Sequence, residues 1–166
     1  MTLFEQTVPV FARMLGNLDT LLDKAQAHAE VAKYDVAAVL SSRLFPDMFT
    51  LTRQVQLATD FAKGACARLA GQEVPRWEDT ETTLPQLKAR LRKALDYLAS
   101  FTPAQFDQAA TRAIELKTPV GVFHFTGDSF VSTWALPNFY FHVTTAYNLL
   151  RHNGVPVGKL DFIGKI

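Results

Sequence analysis

Apolar residues return every three or four positions in four separate stretches, and each stretch is bounded by residues that start or stop helices. Phe4, Val8, Phe11, Leu15, Leu18 and Leu22 form the first line. Thr2-Leu3-Phe4-Glu5 has the S/T-x-x-E form of a capping box, so a helix is expected over about 3–28, with Pro9 absorbed by a kink or a slightly later start. Met48, Leu51, Val55, Ala58, Ala62, Ala65 and Leu69 predict a second helix over about 48–70. Asp47 would assist its N-terminus and Gly71 would close it. Leu84, Leu87, Leu91, Leu95 and Leu98 form the third stripe, capped by Thr83 with Pro85 in the first turn and Gln86 at the third position. The fourth helix opens at Leu136-Pro137 and stops at Asn153-Gly154, with Pro156 beyond and Arg151 and His152 in the last turn. Phe139, Val143, Ala146 and Leu150 make one row along it and Phe141, Thr145 and Leu149 a second, so the helix is expected to be mostly buried.

The connections differ in character. Residues 33–45 read as a link with a short helical turn after Asp35. Residues 72–83, QEVPRWEDTETT, are polar and long enough to cross the length of a bundle. Residues 103–108 suggest one short turn. Around a Thr118-Pro119 turn, Ile114 and Leu116 alternate with charged residues, and Val120, Val122, Phe123 and Phe125 follow, which predicts a two-stranded hairpin that must pack on the helices to be stable. The tail, 155–166, is expected to dock through Phe162. The sum is an all-α four-helix bundle with a small β-hairpin between helices 3 and 4, one domain over residues 1–166.

Composition narrows the function classes. A chain of 166 residues can bury about two-thirds of its unfolded surface, and its 13 phenylalanines point to an aromatic core. The net charge is +1 with no basic block, which argues against nucleic acid. One cysteine, Cys66, permits neither an intramolecular disulfide nor a CxxC site, so a reducing cytoplasm is expected. The N-terminal MTLFEQTVPVF lacks the basic start of a secretory signal, and no uncharged apolar run approaches the roughly 18 residues of a membrane span.

Candidate chemistry concentrates on the fourth helix. Asn138, His142 and Thr145 lie three or four residues apart among aromatic side chains, so they can share one face and line a polar pocket. On helix 2, Gln54 stands beside the apolar line at Leu51 and Val55 and could reach inward to hydrogen-bond His142; an exposed position is the alternative. A bundle metal site would pair His142 with a ligand three or four residues on, where Thr145 and Ala146 stand, so no metal and no cofactor are expected. His124 is expected to point out of the hairpin, His28 to be solvated, Cys66 to pack as a small core residue, and Lys159 and Asp161 to be surface charges or an interface pair. No nucleophile elbow, phosphate loop or zinc spacing is present.

The strings Pro46-Asp47-Met48, Gln54-Val55-Gln56, Leu69-Ala70-Gly71, Pro137-Asn138-Phe139-Tyr140-Phe141-His142-Val143-Thr144-Thr145-Ala146-Tyr147 and Leu150-Arg151-His152-Asn153-Gly154 resemble a bacterial and fungal domain-of-unknown-function family. That family is grouped with the DinB/YfiT-like metalloenzymes. The resemblance runs over essentially the whole chain and implies an up-down-down-up bundle, often a homodimer. DinB-like metalloproteins typically hold a divalent metal through a helix 2 histidine and an H-x-x-x-H pair on helix 4. Here that pair would be His142 and Ala146, and 48–69 contains no histidine. The expectation is therefore a cytoplasmic, homodimeric DinB-like bundle that binds a small molecule or partner near Gln54, Asn138, His142 and Thr145 without a metal. The alternatives are a metal-dependent or His142-based enzyme, and a structural dimer or interaction module.

Overall fold

The computed structural model describes residues 1–165, so Ile166, the last residue of the expected docked tail, lies outside it. The protein is mostly helical with one small antiparallel hairpin. Its long helices are α1 (Leu3–Ala32), α3 (Leu51–Leu69), α4 (Leu84–Ala99) and α6 (Leu136–His152), with α2 (Ala37–Leu40), α5 (Gly127–Phe130) and α7 (Lys159–Ile163) as short ones. The hairpin consists of β1 (Ala113–Thr118) and β2 (Gly121–Thr126). Helix α1 packs on α3, α4 and α6, and α3 packs on α4 and α6. Their buried faces join in one continuous core, centred on Phe11, Leu15, Leu18, Leu51, Leu87, Leu91 and Phe139.

The caps explain most boundaries. Thr2 and Glu5 close the capping box reciprocally, at 2.7 and 3.2 Å, and α1 runs unbroken through Pro9 to Ala32, four residues beyond the expected end. Pro9 is exposed, so the carbonyl that loses its helical partner can turn to water. Thr83 and Gln86 cap α4 in the same way. Helix α3, however, starts at Leu51, not Met48, and its cap is Thr50, whose hydroxyl accepts from Arg53 N at 3.3 Å. Asp47 is exposed outside the helix and has no part in capping it. Local turns explain this: Met48 N donates to Phe45 O and Leu51 N to Ser42 O, which holds 43–50 in a loop until Thr50 turns extended.

The fourth long helix is longer than its pattern suggests. Thr126 caps α5, and a π-helical turn over Val131–Ala135 carries the chain into α6 without a break. Pro137 reads as a helix start because proline is disfavoured in an α-helical interior and favoured in the first turn. The wider turn just before it makes room for the ring and needs no donor there. In the hairpin, Ile114 pairs with Phe125 and Leu116 with Phe123, and the two phenylalanines pack on Trp134. His124 and Glu115 occupy the opposite, exposed face. Gly127 allows the hairpin to return to the helices, because a Cβ there would overlap the backbone carbonyl of Ala109. The tail docks on α1 and α6: Asn17 Nδ2 donates to Phe162 O at 3.0 Å, Phe162 meets Tyr147 edge to face, and Asp161 pairs with Lys24 at 2.7 Å.

The crossover, 72–82, is held by a buried guanidinium. Arg90 on α4 donates to Thr59 Oγ1 at 2.8 Å, Asp60 at 3.0 Å, Glu78 O at 3.1 Å and Glu81 at 3.2 Å, and pairs with Asp79 at 2.9 Å. Lys63, also buried, pairs with Asp60 at 2.7 Å and lies 4.4 Å from the centre of the Trp77 ring. Neither is foreseeable as a core residue from helical spacing alone.

Candidate functional site

Helices α3 and α6 make the most extensive helix contact in the protein, and the polar candidates sit along it. Gln54 and His142, 88 residues apart in sequence, meet there: His142 Nδ1 lies 2.7 Å from Gln54 Oε1. Both are buried, Gln54 at 1% and His142 at 7% exposure. An amide oxygen can only accept, so the contact selects the tautomer with its proton on Nδ1. The amide nitrogen of Gln54 turns back to Phe49 O at 3.4 Å. His142 Nε2 has no protein partner among the described residues and is not sealed in the core. The ring is flanked by two others: Phe61 of α3 stacks on it at 5.4 Å and 21°, and Phe141 meets it edge-on at 5.3 Å.

This setting keeps the imidazole neutral. Burial pushes the His142 pKa down from its usual 6.5 to about 4, and the nearby Arg53 cation adds to the effect. Arg53 is itself held by Gln56 at 3.2 Å and by Asp79, and lies over the Phe49 ring. At neutral pH the site therefore presents an oriented ring nitrogen with a free lone pair, in an aromatic slot.

The other two candidates are engaged locally. Asn138 Nδ2 donates to Trp134 O at 2.8 Å, within the widened stretch of the helix, and Thr145 Oγ1 donates to Phe141 O at 2.7 Å. Both bonds satisfy carbonyls one turn back. Asn138 is half-buried, one turn from His142 on the side facing Trp134.

Next to the dyad lies a cleft of about 230 Å³ between α3, the hairpin and the helix leading into α6. Leu57, Phe61, Ala65, Leu116, Phe130 and Trp134 form its apolar lining, with Asp60 and Arg68 as its charged residues. None of the four candidates lines it. Phe61 connects the two features, since one ring both walls the cleft and stacks on His142. Phe61, Arg68 and Trp134 escaped the sequence reading. Gln54, Leu57, Phe61, Ala65 and Arg68 recur at three and four residues, a second α3 row parallel to the alanine line, and that periodicity is the signal that could have found two of them.

The metal arrangement of the DinB-like superfamily does not fit these residues. Ala146 is fully buried where the second α6 histidine would stand, α3 offers Gln54 toward His142, and no group of three His, Cys, Asp or Glu among the described residues could hold a metal ion. Cys66 is buried and its thiol is pushed far up by burial, so it is a packing residue. His28 packs edge-on against Tyr34 at 5.8 Å, half-buried rather than freely solvated. No helix among the described residues is long and apolar enough to cross a membrane.

A family described as a domain of unknown function (DUF1993) matches residues 3–163. Among solved structures, the crystal structure of a DinB family member from Shewanella denitrificans is similar, with a TM-score of 0.92 and 47% identity over 99% of this chain and 93% of that one. A comparison with curated proteins finds no match.

Proposed function

The chain belongs to the DUF1993 family, and we propose that it is a DinB-like, up-down-down-up four-helix bundle, a single domain that binds a small molecule on the α3–α6 face without a metal. The observation that carries this reading is the Gln54–His142 contact of 2.7 Å. It fixes the tautomer of a buried imidazole and leaves Nε2 as an acceptor with no partner among the described residues, between aromatic rings. A ligand with a hydrogen-bond donor and a flat apolar body suits such a slot, because few polar groups placed in an apolar wall set orientation. A pKa near 4 favours binding over general acid–base work, which is most efficient when the pKa lies near the operating pH. In this reading Gln54 orients, His142 accepts, Asn138 and Thr145 shape the helix around them, and Phe61 links dyad to cleft.

A metabolite screen by thermal shift, repeated on His142→Ala and Gln54→Leu, tests the reading. Compounds that stabilise the native chain should lose most of that effect in both variants. Full retention in both variants would refute the role of the dyad.

A second reading, a cytoplasmic homodimer joined through aromatic residues, is favoured by one observation. Phe45, Phe49 and Phe141 are 63%, 52% and 56% exposed. Light scattering over a hundredfold dilution, with Phe141→Glu for comparison, should show a dimer that the substitution weakens; a monomer at every concentration counts against it.

A further inference from the structure

The cleft between α3, the hairpin and the helix leading into α6 has a cation, Arg68, in its lining. Arg68 is half-buried at its edge and donates from Nη1 to Gly64 O at 2.9 Å, a carbonyl of its own helix. No carboxylate among the described residues pairs with it. Gly64 is what permits this pose: a Cβ at that position would press into the Arg68 guanidinium. The other charged residue of the lining, Asp60, is already committed, to Lys63 at 2.7 Å and to Arg90 at 3.0 Å. Burial alone shifts Arg68, lowering its pKa with no acidic neighbour opposing it. The remaining lining is apolar and largely aromatic, and Trp134 stands on the π-helical turn, a distortion that recurs at functional sites.

We propose that this cleft binds an apolar monocarboxylate, with its carboxylate on Arg68 and its hydrocarbon or aryl body against Phe61, Leu116, Phe130 and Trp134. The inference deepens the small-molecule reading of the α3–α6 face and rests on it. A guanidinium with no acidic partner among the described residues, in a partly desolvated setting, can form a bidentate pair with a carboxylate, whose opposite charge neither water nor a neutral amide supplies. The apolar wall selects the rest of the molecule. At about 230 Å³ the cleft suits an acid of one aryl ring or a short alkyl chain, not a nucleotide.

The test uses 3-phenylpropionate and octanoate, each beside its primary amide, titrated into the full chain and followed by the indole signals of Trp134 and Trp77 in proton–nitrogen spectra. Both acids should move the Trp134 signal and leave Trp77 in place, with affinities about tenfold or more above the amides. Arg68→Met should lose about the same factor, and Arg68→Lys should recover part of it. Acid and amide binding equally well, or Arg68→Met binding the acid as the native chain does, overturns the carboxylate while leaving a ligand cleft in place. If neither acid nor amide moves Trp134, the cleft is not the ligand site and this proposal fails, while the dyad reading is decided by its own variants.

Discussion

Acidification should unfold this protein partly through His142. In the folded state burial and Arg53 hold its pKa at about 4, against 6.5 for a free imidazole. The unfolded chain therefore binds a proton between these values that the folded chain refuses, and stability falls as the pH drops from about 6.5 toward 4. Above that window the residue contributes no pH dependence. Taken whole, the shift corresponds to about 2.5 kcal/mol between pH 7 and 4.5. Nε2 is not sealed in, and water near a charged imidazole would recover part of that cost, so roughly 1–1.5 kcal/mol is the expected loss. Glu5 and Asp161, whose pKa values are lowered by Thr2 and Lys24, also lose stability in acid, so a non-titrating reference is needed. His142→Gln keeps a group able to bond Gln54. Urea unfolding followed by circular dichroism at pH 7, 6, 5 and 4.5 should show the native chain losing that extra amount relative to the variant. A constant difference between the two across the series, or a His142 titration near 6.5 by NMR, would refute the reasoning.

Three further substitutions test the packing. Gly127→Ala drives a Cβ into the carbonyl of Ala109, a backbone atom with no room to move, and should cost about 3 kcal/mol in a denaturant melt. Arg90→Met removes the cation that Asp60, Asp79 and Glu81 share, leaving Asp60 to Lys63 and Asp79 to Arg53, so about 2 kcal/mol should be lost and hydrogen exchange across 72–82 should accelerate; unchanged exchange would show that the crossover is held by other contacts. Ala146→His restores the H-x-x-x-H spacing but places a large ring at a fully buried position, so the variant should lose about 1–3 kcal/mol and bind no stoichiometric zinc in a chelator competition.

Gln54 beside an apolar line and His142 within an aromatic helix are visible as polar anomalies in apolar stripes, and spacing alone suggested that they could meet. Thr50 was missed as the α3 cap because Met48 continues the apolar period, and periodicity does not report where the backbone turns extended. Helix 127–135 was missed because Pro137 is a strong local start signal, and only a widened turn, which leaves no trace in propensity, overrides it. Arg90, Lys63 and Arg68 look like ordinary surface charges on amphipathic helices. Their burial depends on segments distant in sequence: Arg90 bonds Thr59, 31 residues away, Lys63 lies against Trp77 of the crossover, and Arg68 shares a cleft with Leu116 and Trp134.

By itself the sequence determined the helical lines, two capping boxes, the presence of a hairpin and the absence of a second histidine at 146, because each depends on neighbours a few positions away. Tertiary structure alone decided which polar groups lose water. That is a property of two elements brought together. It made Gln54 and His142 a bonded pair, closed Arg90 into an ion cluster, and set Arg68, unpaired with any carboxylate among the described residues, beside aromatic rings in a cleft.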